Sequence, residues 1–479
     1  MEDGVPSRRD IIRQGIAASA VLGIPRALAA LVEDSDSVAH AAPGGRAGSK
    51  PTTARPHLDT ALRVERWIRR SRQVTADGVR WPADPLKPDA VATDLYNGMG
   101  GVVAFYLELY HATGDKEHLR EASAGADYLI ARIPADGSTP SAGAVRRPDC
   151  GLYTGLAGTM FLLDRTGVAG GGDKYRDAAL RCLTLITRLA QPTGSGVEWN
   201  ASTDIVSGTA GTGLALLHAH RTLGDPSAIG TARRAGARLI ELGRPSEGGT
   251  MWMMSPDSPR NMPNFSHGTA GVAYFLARLH EHTGDAAFLH AARAGARYLQ
   301  AIATKTGDAC AIHHHDPDGK DLFYLSWCHG PAGTARLFYQ LGTVAKDGDA
   351  IEWVHRLARG ITTTPIPEQR TPGFWNNISQ CCGNIGVAQF FLDLHRTIGH
   401  PGALDFARRC LADTMSRATE DDGGLKWIQA ENRTQPENLV AQTGFMQGAA
   451  GVGTFLLHLD GLEQKRTPAI VFPDSPFAG

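Results

Sequence analysis

Residues 268–285 read GTAGVAYFLARLHEHTGD. A Gly-x-x-Gly turn runs directly into an apolar stretch, and Gly284-Asp285 closes it. The turn and apolar run recur at Gly98, Gly155, Gly208, Gly330, Gly383 and Gly448, so that the seven copies follow one another at intervals of 57, 53, 60, 62, 53 and 65 residues. Internal self-similarity of this kind marks a repeat architecture in which each copy is one supersecondary unit. Polar residues are scarce in Val102–Tyr110, so the helix opened by the repeat glycine is predicted to be buried nearly all round.

A second, amphipathic helix is predicted after most copies, over Lys116–Arg132, Tyr175–Leu189, Ser227–Leu242, Ala286–Ile302, Ala350–Ile361 and Ala403–Arg417. In Ala286–Ile302 the stripe Phe288, Ala292, Gly295, Tyr298, Leu299 and Ile302 has helical spacing, with Arg293 and Arg297 opposite. Gly114-Asp115, Gly224-Asp225 and Gly284-Asp285 join the two helices. Glycine suits the left-handed residue that ends a helix, and aspartate caps the next. Such a unit cannot bury both of its faces alone, so neighbours must stack. The last copy is as apolar as the others, which favours a closed ring over an open array with polar ends. The stretch Thr60–Ser71 would give the final inner helix its outer partner. The expected fold is therefore all-α, an α/α ring whose repeat turns gather at one end around a common bowl.

The 479 residues carry a formal charge of −1 with 20% charged residues, which gives no electrostatic case for nucleic acid or an anionic membrane surface. Seven cysteines in a chain of this length do not make a disulfide scaffold. Ser7-Arg8-Arg9-Asp10, a mild apolar stretch Gly15–Ile24 and Ala27-Leu28-Ala29 read as a twin-arginine export signal over residues 1–32. That apolar stretch is far short of the ~20 residues that span a bilayer. A linker is expected over 33–56, the ring over 57–465 and a tail over 466–479. The expected address is outside the inner membrane (periplasm, cell envelope or medium), without stable membrane insertion; the alternative is the cytoplasm.

The residues just before the repeat glycines are where chemistry is expected. Four copies carry Asn97, Thr154, Ser207 and Gln447; three carry His267, His329 and Cys382. Cys328, Cys381 and Cys382 fall at equivalent turns of adjacent copies, 53 residues apart in sequence, and should meet in space. Tetrahedral Zn²⁺ takes thiolate ligands, and reactive sites keep one position open. Cys182 and Cys410 sit within outer helices and read as packing; Cys150 and Cys310 lie near loops. His313-His314-His315 reads as an exposed loop cluster, and Trp375, Asn376 and Asn377 as bowl lining.

Seven Gly-x-x-Gly helices with Ser266-His267-Gly268, Trp327-Cys328-His329-Gly330 and Cys381-Cys382-Gly383 resemble the lanthionine synthetase C-like family, over nearly all of the chain after the linker. The resemblance implies an α/α toroid of seven inner and seven outer helices with a single zinc ion. It implies enzymes that add a peptide cysteine thiol to dehydroalanine or dehydrobutyrine and so form a thioether. Eukaryotic-type relatives bind glutathione. Cys328 and Cys381 match the family's two cysteine ligands; Cys382 stands where many members have histidine, and some bifunctional synthetases carry the same Cys-Cys-Gly. His267 matches the histidine that handles a proton during addition, and Asp204 the aspartate that partners it. The chain departs from the pattern at Tyr324, where many cyclases carry arginine. A phenol donates one hydrogen bond but brings no charge to an enolate, so this departure bears on turnover and not on the metal.

The function expected is zinc-dependent thioether formation on a peptide. The alternative is a zinc-dependent thiol- or glutathione-binding protein without turnover. A carbohydrate-active ring is a third reading, but it needs paired carboxylates facing the bowl. None of the seven residues before the repeat glycines is acidic.

Overall fold

Each repeat glycine lies in extended backbone immediately before a helix, so the apolar runs become helices where their glycines indicate. The computed structural model describes residues 54–135, 139–141, 144–368, 374–375 and 377–477. The export signal expected over 1–32, most of the linker expected over 33–56, Asn376 and the Trp375 side chain lie outside the described residues.

In chain order the helices are α1 (Pro56–Arg70), α2 (Met99–Thr113), α3 (Lys116–Ile130), α4 (Leu156–Thr166), α5 (Asp173–Leu189), α6 (Thr209–Thr222), α7 (Pro226–Leu242), α8 (Thr269–Thr283), α9 (Ala286–Ile302), α10 (Pro331–Val344), α11 (Gly348–Thr362), α12 (Asn384–Ile398), α13 (Ala403–Ser416) and α14 (Ala449–Glu463). The even-numbered helices follow the repeat glycines and form the inner ring; the odd-numbered ones form the outer ring. Each inner helix packs on its outer partner and on its two inner neighbours. α14 packs on both α1 and α2, which closes the circle. The seven-plus-seven toroid is thus what the repeats predict, with α1 as the outer partner of the last inner helix.

The amphipathic stripe of α9 behaves as its spacing dictates. Phe288, Ala292, Gly295, Tyr298 and Leu299 are buried, while Arg293 and Arg297 are exposed. Burial of a side chain such as Phe288 or Leu299 contributes about 1.5–3 kcal/mol. The Gly-Asp joints also behave as expected. Gly114, Gly224 and Gly284 have φ of 70°, 75° and 69°. Asp115, Asp225 and Asp285 accept hydrogen bonds from Glu117, Ser227 and Ala287 backbone N–H groups at 2.9, 2.8 and 3.0 Å. Among the described residues no helix is long and apolar enough to cross a membrane.

One element escaped the sequence reading. Most outer helices are followed by a small β-hairpin, such as Gln191–Thr193 with Gly196–Glu198, or Arg244–Ser246 with Gly249–Met251. The loop of the second of these is Glu247-Gly248 with φ of 46° and 74°, the mirror-image turn that matches the twist of paired strands. A tryptophan leaves several hairpins and returns to its outer helix. Trp199, Trp252 and Trp427 donate from Nε1 to the carbonyls of Ile186, Leu239 and Thr414 at 2.8, 2.6 and 2.8 Å.

The repeat turns meet in a closed belt of backbone hydrogen bonds. Tyr96 N–H donates to Tyr153, Tyr153 to Val206, Ile205 to Ser266, Ser266 to Cys328, Cys328 to Cys381, Cys381 to Met446, and Met446 back to Tyr96, all at 2.8–3.1 Å. Apart from Ile205, each belt residue stands two positions before its repeat glycine. The close approach explains the second glycine of the motif. A Cβ on Gly333 would lie 1.8 Å from the Trp327 carbonyl oxygen.

Candidate metal centre

The belt brings Cys328, from the turn before α10, against Cys381 and Cys382, from the turn before α12. Cys328 Sγ lies 3.3 Å from Cys382 Sγ, which lies 3.4 Å from Cys381 Sγ, and the three sulfurs fall within 4.8 Å of one another. These separations exceed the ~2.05 Å of a disulfide. Two of them fall a little short of the ~3.8 Å between thiolates around a tetrahedral ion with Zn–S of about 2.3 Å, a spacing that small side-chain rotations reach. All seven cysteines are free and buried, and no pair forms between Cys150 and Cys310.

The donor chemistry fits a divalent cation. Burial and the neighbouring thiols push Cys328 and Cys381 up, whereas hydrogen bonds from those two thiols hold Cys382 well below the usual thiol range. Three thiolates in this volume require a positive partner.

Further groups fix the sulfurs. Tyr96 donates its hydroxyl to Cys381 Sγ at 2.9 Å, and Gln447 Nε2 donates to the Tyr96 oxygen at 3.2 Å. Ser379 Oγ accepts from the Cys382 N–H at 3.1 Å and donates to Asn377 Oδ1 at 2.7 Å. The sequence reading missed Tyr96, because at the belt positions it weighed only the cysteines, and a tyrosine two residues before Gly98 carries no metal-ligand signal.

His267 stands at the turn before α8. Its Nδ1 meets Asp204 Oδ2 at 2.6 Å. Asp204 is fully buried, and its other oxygen accepts from the Ser207 N–H at 2.9 Å. The carboxylate therefore sets the ring's tautomer and orientation. The structure thus brings together the two residues that the resemblance paired. His267 lies 5.5 Å, ring to ring, from His329.

His313-His314-His315 corrects an expectation. It is not an exposed loop cluster: His313 and His315 are buried and His314 is half-buried. His314 stacks on His329 with centroids 4.0 Å apart and meets the Tyr324 ring at 4.4 Å. Burial first, then nearby cations, lower the His314 imidazole to about 3, and burial lowers His329 strongly too. The stack is neutral and forms one wall of the bowl. Tyr324 is 9% exposed; burial pushes its phenol up, and the nearby Arg433 guanidinium acts in the opposite direction. Arg433 comes from the loop between the paired strands Ile428–Ala430 and Leu439–Ala441. A cation therefore reaches position 324 from a different part of the chain.

Among solved structures, the chain is similar to one described as nisin cyclase, with a TM-score of 0.59 and 13% identity, covering 84% of this chain and 93% of that one. It is also similar to an α-1,6-mannanase from Salegentibacter sp. HEL1_6, with a TM-score of 0.46 and 13% identity over 85% of this chain and 99% of that one. At 13% identity the likeness to the nisin cyclase structure speaks for the fold alone. No curated protein matches the sequence. The family model for lanthionine synthetase C-like proteins matches residues 89–472, and on that match over most of its length the chain belongs to the lanthionine synthetase C-like family.

Proposed function

We propose that this protein forms thioethers, adding a cysteine thiol to a dehydroalanine or dehydrobutyrine residue with zinc held by Cys328, Cys381 and Cys382. The observation that carries the reading is the three-sulfur cluster together with half-buried His267 held by buried Asp204, all within one belt of turns. Zinc, when bound by three thiolates, offers a fourth position to an incoming thiol and keeps its sulfur ionised at neutral pH.

The reaction joins sulfur to the β-carbon of the dehydro residue. The alkene electron pair moves onto Cα and its carbonyl as an enolate, and a proton must reach Cα. With Nδ1 held by Asp204, His267 has Nε2 left to deliver that proton, and the thiol proton replaces it. Arg433, near the Tyr324 phenol, supplies positive charge for the enolate where the chain lacks arginine at position 324. The neutral His314–His329 stack lines the approach without adding charge.

Tyr324 in place of arginine is the observation that favours a second reading, thiol capture without turnover. One experiment separates the two. Zinc-loaded protein is incubated with a dehydroalanine peptide bearing a free cysteine, and separately with a cysteine-free dehydroalanine peptide plus glutathione. Mass spectrometry follows thiol alkylation. The expected product has the mass of the starting peptide and resists alkylation. Glutathione binding with no adduct and no ring assigns the second reading, and inertness towards both thiols rejects both.

A further inference from the structure

The chain does not end at the ring wall. After α14, residues 466–477 turn under the inner helices and enter the lumen on the side away from the turns. Glu108 Oε2 accepts from the Ala469 and Ile470 N–H groups at 2.9 and 2.8 Å, and Arg165 donates to the Ala469 carbonyl at 3.0 Å. Phe472 packs among Tyr153, Phe161 and Phe445, with centroids 6.1, 5.5 and 4.8 Å away. Phe477 packs on Tyr339 at 4.7 Å.

Between these anchors the tail delivers Asp474, whose side chain is buried. Its carboxylate accepts from Tyr153 Oη at 3.0 Å, Trp327 Nε1 at 2.9 Å and Arg336 Nη1 at 2.8 Å. Tyr153 is a belt residue of the second repeat, and Trp327 precedes belt residue Cys328 in the fifth. Three repeats apart in a ring of seven is opposite, so one carboxylate ties the two sides of the belt together from below. Beneath the belt lies a cavity of about 420 Å³, lined in part by Trp327, Gln380, Met446 and Asp393. Without the tie, the Trp327 indole has space to sink into, and Cys328 is its immediate neighbour.

We propose that Asp474 is a positioning residue of the metal centre: by holding the Trp327 indole it fixes where Cys328 places its sulfur. The proposal rests on the three-cysteine reading of the site. A carboxylate suits the task because it accepts several hydrogen bonds at once and balances the half-buried Arg336 charge, whereas an amide offers one oxygen and no charge.

The test compares full-length Asp474→Asn, Trp327→Phe and, as a control on general tail packing, Phe477→Ala. Zinc affinity is read by chelator competition, and the thiolate-to-metal absorption by cobalt substitution. Loss of partners that orient a ligand typically weakens binding about 10–100-fold. That loss, with a shifted cobalt spectrum, is expected for Asp474→Asn and Trp327→Phe. Phe477→Ala should lower Tm while leaving both metal readouts in place. Trp327→Phe keeps the aromatic packing, so it decides the matter even if Asp474→Asn folds poorly. The proposal is overturned if Trp327→Phe matches wild type in affinity and spectrum. Alkylation of Cys328 in the metal-free protein gives an independent reading, expected to be faster in both Asp474→Asn and Trp327→Phe. If wild type takes up no zinc, the three-cysteine reading fails, while equal alkylation rates would sink the positioning role.

Discussion

Replacing Cys381 with alanine is expected to cost zinc affinity on the order of 100-fold and to abolish thioether formation. Zinc sites with four protein ligands bind with about 10–16 kcal/mol, so one thiolate accounts for roughly 3 kcal/mol. The remaining sulfurs, Cys328 and Cys382, are 3.3 Å apart, and two ligands without a third leave an open, weak site. Fold should survive, because the belt uses the backbone of residue 381 and not its side chain. Zinc content after dialysis and far-UV circular dichroism measure the two consequences separately. Zinc retained at wild-type stoichiometry in Cys381→Ala would remove this residue from the ligand set. Cys410→Ala is the contrasting variant, since its sulfur is buried within α13 and should leave zinc content unchanged.

Much of this was legible in the chain because the relevant chemistry is local. Gly-x-x-Gly followed by an apolar run specifies a tight turn and a buried helix, and Gly-Asp specifies an end and a beginning. The spacing of the cysteines becomes spatial proximity once the repeats are seen to be equivalent. The hairpins were missed because strands of three residues are too short to show a period, although Glu247-Gly248 and Asp422-Gly423 carry the turn chemistry. The histidine run was misjudged because the contacts that His314 makes with Tyr324 and His329 form only in the folded ring. Asp474 lies 147 residues from Trp327 and 321 from Tyr153, so nothing local announces the tie. Arg433 offers no sequence signal either: its loop has no repeat counterpart.

His267→Ala is expected to keep zinc and lose about 10²–10⁴-fold in turnover, the range for removing a positioned acid or base. The reason is geometric. His267 contacts the Asp204 carboxylate and not the sulfurs through any hydrogen bond within the described residues, so its loss should leave the cluster intact. Asp204→Asn should fall in the same direction, because an amide no longer fixes the imidazole as the carboxylate does. Buried Asp204 also holds the Ser207 N–H, so this variant is expected to lose stability as well. Initial rates on the dehydroalanine peptide, alongside zinc content, check both variants. Full activity in His267→Ala would overturn its role in proton delivery.

Whether three sulfurs hold one ion is decided by elemental analysis of the purified wild-type protein, combined with mapping of alkylated cysteines before and after chelation. One zinc per chain is expected, with Cys328, Cys381 and Cys382 protected until the metal is stripped. Absence of stoichiometric zinc, or a protection pattern at those three positions that chelation does not change, would contradict it.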